Sequence, residues 1–223
     1  MSRTVLQSVK EEICNACSHG LGVIVSLIAL IMMTSKAIQS GGATEIVSCV
    51  IFGTTLILMY ASSTLYHSVQ SPRKKQLLRI CDHIMIYFLI SGSYTPVLLM
   101  GLKGTWGWTL FIIVWTMAAL GLIFKLFFTG KLERLSLGIY LGMGWLLVVA
   151  IQPLCESVHP GGLMWLFAGG GAYSLGTIFY AFDQRIPFFH AIWHLFVLTG
   201  SACHIKAVFS YLIPAQLMTP FTG

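Results

Sequence analysis

Seven long apolar stretches constrain this chain more than any other feature. They cover residues 21–38, 46–66, 84–100, 108–128, 135–154, 163–182 and 188–213. A helix needs roughly 20 mostly apolar residues to cross ~30 Å of hydrocarbon. Inside lipid, only a helix or a closed barrel satisfies its own backbone polar groups. The spacing therefore predicts an all-α membrane protein, a seven-transmembrane-helix bundle forming a single domain over residues 1–223. The connections leave no room for a soluble domain. Charged residues make up 9% of the chain against 57% hydrophobic, too few to cover a soluble surface. No small-x-small cleavage site follows the first stretch, and six more stretches come after it. It reads as a membrane helix rather than a signal peptide.

Lysines and arginines set the expected orientation. With seven crossings, Arg3, Lys10, Arg73, Lys74, Lys75, Arg79, Lys125, Lys131, Arg134 and Arg185 fall on one side, and Lys36, Lys103 and Lys206 on the other. Ten against three predicts a multi-pass membrane protein with a cytoplasmic N-terminus and a C-terminus outside. The net charge of +6 then reads as topology and contact with anionic headgroups. The expected partner is membrane lipid; neither nucleic acid nor a protein partner is indicated.

Other features have structural readings. The six cysteines do not form a disulfide framework, and the lone Cys14-x-x-Cys17 is weak evidence for metal or redox work. Gly138 and Gly142, and Gly169, Gly170, Gly171 and Gly176, read as places where helix backbones approach closely. Trp106, Trp108 and Trp165 read as anchors at the outer interface. A turn is expected at Ser40-Gly41-Gly42, a basic loop at 71–75, and a kink at Pro96, which removes a backbone donor.

Ionisable groups at membrane depth are costly, so each is a functional candidate. His190 and His194 are four apart at the start of the seventh stretch, which sets both imidazoles on one face. Such a pair can chelate a metal ion; it can also be two separately hydrogen-bonded histidines. His67 ends the second stretch, with Ser63 one turn deeper on the same face. Asp82 opens the third. Glu12, Asn15 and His19 stand at the entry to the first. The orientation places all these helix ends on one side, so His67, His190, His194 and Asp82 can meet near the cytoplasmic face. Three imidazoles with a fourth position open to water are a common catalytic zinc arrangement. Asp82 could ligate the metal, orient a ligand or hold the water. Polar groups also gather at helix ends without any metal. His83 lies about 100° around the helix from Asp82 and reads as a headgroup or loop contact, and His159 as a solvated loop residue. His204, ~15 Å deeper than His194, reads as a buried hydrogen-bonding group. Tyr87 and Tyr94 read as core aromatics.

In order and spacing these residues resemble the hemolysin III proteins, the bacterial branch of the progestin and adiponectin receptor (PAQR) family. The resemblance rests on Glu12-x-x-Asn15 with His19, Ser63-x-x-x-His67, Asp82-His83, Ser91-Gly92-Ser93-Tyr94-Thr95-Pro96, Gly142-Met143-Gly144-Trp145, and His190-x-x-x-His194 followed by His204. It implies seven helices, an intracellular N-terminus, and zinc near the cytoplasmic side on His67, His190 and His194. It implies that Asp82 acts on zinc-bound water. Glu12, Asn15, His19 and His204 would support the ligands from behind. The family's grouping with alkaline ceramidases implies a membrane hydrolase of lipid amide bonds, with Ser63 helping to hold the carbonyl oxygen or the water. Two other readings stay open: a receptor or lipid sensor with structural zinc, and a pore. The histidine set alone does not select zinc over other divalent metals.

Overall fold

The computed structural model describes residues 8–40 and 42–214. The expected turn residue Gly41, and the residues on which the placement of the two chain ends rests, lie outside that set. All regular structure among the described residues is helical. In chain order the helices are α1 (Val9–Ser40), α2 (Ala43–Ser68), α3 (Pro72–Pro96), α4 (Gly104–Phe128), α5 (Glu133–Gly144), α6 (Ile151–Ser157), α7 (Pro160–Phe182) and α8 (Phe189–Ala207). Val97–Leu102 and Val208–Leu212 extend α3 and α8 as π-helical turns, and Leu146–Ala150 joins α5 to α6 as a 3₁₀ segment.

Among the described residues, six helical segments are long and apolar enough to cross a membrane: Val9–Ser40, Ala43–Ser68, Pro72–Leu102, Gly104–Phe128, Glu133–Ser157 and Phe189–Leu212. Pro160–Phe182 is long enough, at 23 residues, but is not among them. Six glycines supply no apolar side chain, and Tyr173, Ser174, Thr177 and Tyr180 are polar, which dilutes its hydropathy.

The first helix starts twelve residues before the expected boundary because a capping box nucleates it. Ser8 Oγ accepts the Glu11 N–H at 3.3 Å and Glu11 Oε2 accepts the Ser8 N–H at 2.7 Å, the reciprocal pattern that satisfies orphan donors at a helix start. Its buried face reads Glu11, Asn15, His19, Gly22, Ser26, Ala29, Met33 and Ala37, whereas Leu21, Ile24, Ile28 and Ile31 face outward. Lipid inverts the soluble pattern, placing small and polar residues inside. The third helix also starts early. Arg73, Lys74 and Lys75 occupy its first turn, with Pro72 at the first position, where a missing N–H costs nothing; the expected loop is helix.

The bundle is built around α3, whose apolar window is 72% buried against 28% for α1 and for α4. One core joins α1, α2, α3 and α8 around Phe52, Leu56, Met59 and Val208, with α3 packed directly on α2. The other packs it against α4 and α5 around Tyr87, Leu98, Val114 and Met143. The small residues of Ser91–Pro96 permit this. A Cβ at Gly92 would collide with Thr55, and Ser91 Oγ donates to the Val114 carbonyl at 2.9 Å.

The expected continuous fifth helix is broken instead. Gly142 and Gly144 are weak helix formers, and Pro153 cannot donate to Val149. Tyr94 satisfies the break: its hydroxyl donates to the Gly144 carbonyl at 2.7 Å and accepts the Leu147 N–H at 3.2 Å. Without those bonds the freed groups would each cost several kcal/mol in lipid. Close packing at Gly138 and Gly142 is also corrected, since a Cβ there meets nothing within 4 Å. It does hold at Gly169 and Gly176, where a Cβ would meet His204 and Trp193 respectively.

Candidate metal centre

His67 comes from the last turn of α2, and His190 and His194 from the first turns of α8. Each offers a ring nitrogen, and the three nitrogens lie within 4.8 Å of one another. The ring centroids are 5.1 Å apart for His67 and His190, 5.2 Å for His67 and His194, and 4.7 Å for His190 and His194. The group can hold a metal ion.

Each ring is fixed from behind through Nδ1. His67 Nδ1 lies 2.8 Å from Glu12 Oε2, and Lys75 Nζ donates to the other Glu12 oxygen at 2.6 Å. His190 Nδ1 lies 2.7 Å from Asp183 Oδ2. His194 Nδ1 lies 3.0 Å from Ser18 Oγ and 3.3 Å from the Asn15 carbonyl. A carboxylate or carbonyl behind a ligating histidine fixes its tautomer and raises its basicity. In the neutral ring the proton sits on Nδ1, and Nε2 keeps its lone pair for a ligand. His67 Nε2 is buried without a hydrogen-bond partner among the described residues. Such an orphan costs about 1–3 kcal/mol unless something occupies the space before it. The donor set fits a divalent metal with an affinity for imidazole, zinc included.

The remaining expected residues fall around this group. Asp82 is buried and lines one cavity of about 100 Å³ together with Ser63, His19, His190 and His194. It stands outside the three-histidine group. Ser63 Oγ is buried and has no partner among the described residues. His19 stacks on His194 at 3.5 Å and 9°. His204 lines the far part of the cavity, where its Nε2 donates to the Leu166 carbonyl at 3.2 Å.

His83 departs from the headgroup reading. It is buried and lines the same cavity, with Nδ1 3.3 Å from Lys125 Nζ. Four supporting residues escaped the sequence reading: Glu11, Ser18, Lys75 and Asp183. A signal existed for two of them. The chain has only seven acidic residues, and Glu11, Glu12, Asp82, Glu133 and Asp183 all fall at helix ends that the orientation argument puts on one side. Lys75 reads from the sequence as topology alone.

The family described as Haemolysin-III related matches residues 7–205. The chain is 48% identical over 212 residues to a hemolysin-3 homolog of Bacillus subtilis (strain 168), covering 95% of this chain and 99% of that one. It is 47% identical to hemolysin-3 of Bacillus cereus, over 93% of this chain and 94% of the relative. It is 32% identical to the human monocyte to macrophage differentiation factor, over 91% and 84% of the two chains. No solved structure matches significantly.

Proposed function

The chain belongs to the haemolysin III family, the bacterial branch of the PAQR family, and on that premise we propose that it is a zinc-dependent hydrolase of amide or ester bonds in membrane lipids. It is a multi-pass cell-membrane protein. In this reading Pro160–Phe182 crosses as a seventh span, the N-terminal end of α1 lies in the cytoplasm, and the site opens toward the cytoplasmic leaflet.

One observation carries the reading. Three histidines, each braced at Nδ1, converge on one another, and two of them, His190 and His194, line a largely apolar cavity that also holds Asp82 and Ser63. Apolar walls suit an acyl chain, and the polar end suits its carbonyl. Zinc held by His67, His190 and His194 would polarise a carbonyl and make water acidic enough to attack near neutral pH. Asp82 takes the proton of the attacking water as general base. The Ser63 hydroxyl donates to the carbonyl oxygen as charge builds on it. Cavity walls such as Met59, Leu89 and Val197 keep bulk water from the reacting bond.

The test is direct. Purified protein should contain about one zinc per chain and release free fatty acid from a lipid amide in reconstituted bilayers. Metal without turnover across a panel of lipid amides and esters would return the protein to the receptor reading.

A further inference from the structure

A second polar cluster lies against the same cavity, and the mechanism above leaves it unused. Lys125, in the last turn of α4, is 0% exposed. A buried ammonium in a membrane protein is expensive unless paired. Its Nζ donates to Glu133 Oε2 at 2.8 Å, and Glu133 Oε1 accepts from the Gly130 N–H at 2.7 Å and from Arg79 at 3.4 Å. The third side chain at Glu133 is His83, whose Nδ1 lies 3.5 Å from Oε2 and 3.3 Å from Lys125 Nζ. Tyr140 donates to the His83 carbonyl at 3.0 Å, which also fixes its backbone. With Nδ1 turned to Glu133 and Lys125, Nε2 is the nitrogen left for a ligand in the cavity that His83 lines.

We propose that His83, braced by Glu133 and Lys125, is the proton donor to the leaving group of the lipid cleaved in this cavity. The proposal rests on the hydrolase reading and names the half of the chemistry that Asp82 does not perform. An amide nitrogen leaves only when it is protonated. Asp82 and His83 are neighbours on α3, about 100° apart around its axis, and both line the cavity. They reach a bound lipid from different angles, one toward the water and one toward the leaving group. A carboxylate behind an imidazole keeps the ring oriented while its proton moves, as in hydrolytic triads. An anchor for α5 alone would need Glu133, Arg79 and Lys125, but no imidazole turned to the cavity.

The step balances. The water oxygen bonds to the acyl carbon as its proton passes to Asp82. The carbon–nitrogen bond breaks with its electron pair staying on nitrogen, which takes the proton of His83 Nε2. The Asp82 proton then returns to His83 through solvent. The sum is amide plus water giving carboxylic acid plus amine.

The test uses zinc-loaded full chain in nanodiscs, with a long-chain N-acyl amine and the p-nitrophenyl ester of the same acid. The nitrophenolate leaves without a proton. His83→Gln should keep its zinc and lower the ratio of amide to ester turnover by ~10²-fold or more. Glu133→Gln should lower it by a smaller factor and shift the His83 ring ¹⁵N signals. If His83→Gln fails to fold, the ratio in Glu133→Gln decides. Equal loss on both substrates, or an unchanged ratio, would overturn the proposal and leave the hydrolase reading standing. A wild type that cleaves neither substrate would overturn both.

Discussion

The Glu11 carboxylate accepts the backbone N–H of Phe188 at 2.7 Å, across 177 positions of sequence. Phe188 precedes α8 with φ of 61°, left-handed for a residue with a side chain, and no side chain of its own segment caps that helix. Glu11 therefore caps two helices at once, its own through Oε2 and the histidine helix through Oε1. Its neighbour Glu12 holds His67. Two consecutive acids in the first turn of α1 thus set the relative position of all three histidines that could hold a metal.

Removing that link should loosen the site without touching a ligand. Glu11→Ala leaves the Phe188 N–H without its acceptor, a loss of about 1–2 kcal/mol by analogy with helix caps. The melting temperature should fall and zinc affinity should drop. Ser8→Ala, which disturbs only the cap of α1, should lower stability while sparing zinc. Equal zinc affinity in Glu11→Ala and wild type would show that the cap does not position α8.

Metal content sorts the histidines. His67→Ala, His190→Ala and His194→Ala should each reduce zinc occupancy strongly, and His159→Ala should not. Asp183→Asn keeps the shape of the group behind His190 but removes its charge, and should weaken zinc ~10–100-fold. Elemental analysis of purified variants checks this, and equal occupancy in all five variants would remove the metal centre.

Asp82 separates chemistry from binding. It lies outside the three-histidine group, so Asp82→Asn should retain zinc while hydrolysis of a lipid amide falls by ~10²–10⁴-fold, the usual cost of a lost general base. Zinc content and turnover measured on one preparation decide it. Loss of both together would make Asp82 a ligand, and full activity would remove it from the mechanism.

Topology can be read with reporter fusions placed in the connections between helices. Fusions after Val69, Gly130 and Arg185 should report cytoplasm, and those after Lys103 and His159 the outside. The pair at His159 and Arg185 tests whether Pro160–Phe182 crosses the bilayer. The same side reported for both would remove the seventh span.

Apolar run length and charge bias made the all-helical membrane class legible from the chain alone, because a segment in lipid must satisfy its own backbone and carry few charges. His190 and His194 were legible because helical periodicity is local, and His67 joined them through the orientation argument. Nothing local revealed which nitrogen of each ring is engaged, or that Ser18 and Asp183 engage two of them. The Ser18–His194 contact spans 176 positions, and a pattern within one helix carries no information about a partner on another. The break after Gly144 was partly written in Gly144 and Pro153, but its tolerance depends on Tyr94, a hydroxyl delivered from α3. His83 is the sharpest case. Its sequence position placed it at a helix end, where headgroup contact is ordinary. Only the packing of α4 and α5 against α3 buries it beside Lys125 and Glu133 and turns it toward the cavity. Sequence alone decided that these residues sit in a membrane and at which end of their helices. Tertiary packing decided which of them face one another, because burial among other helices, rather than depth in lipid, determines what a polar side chain can bond.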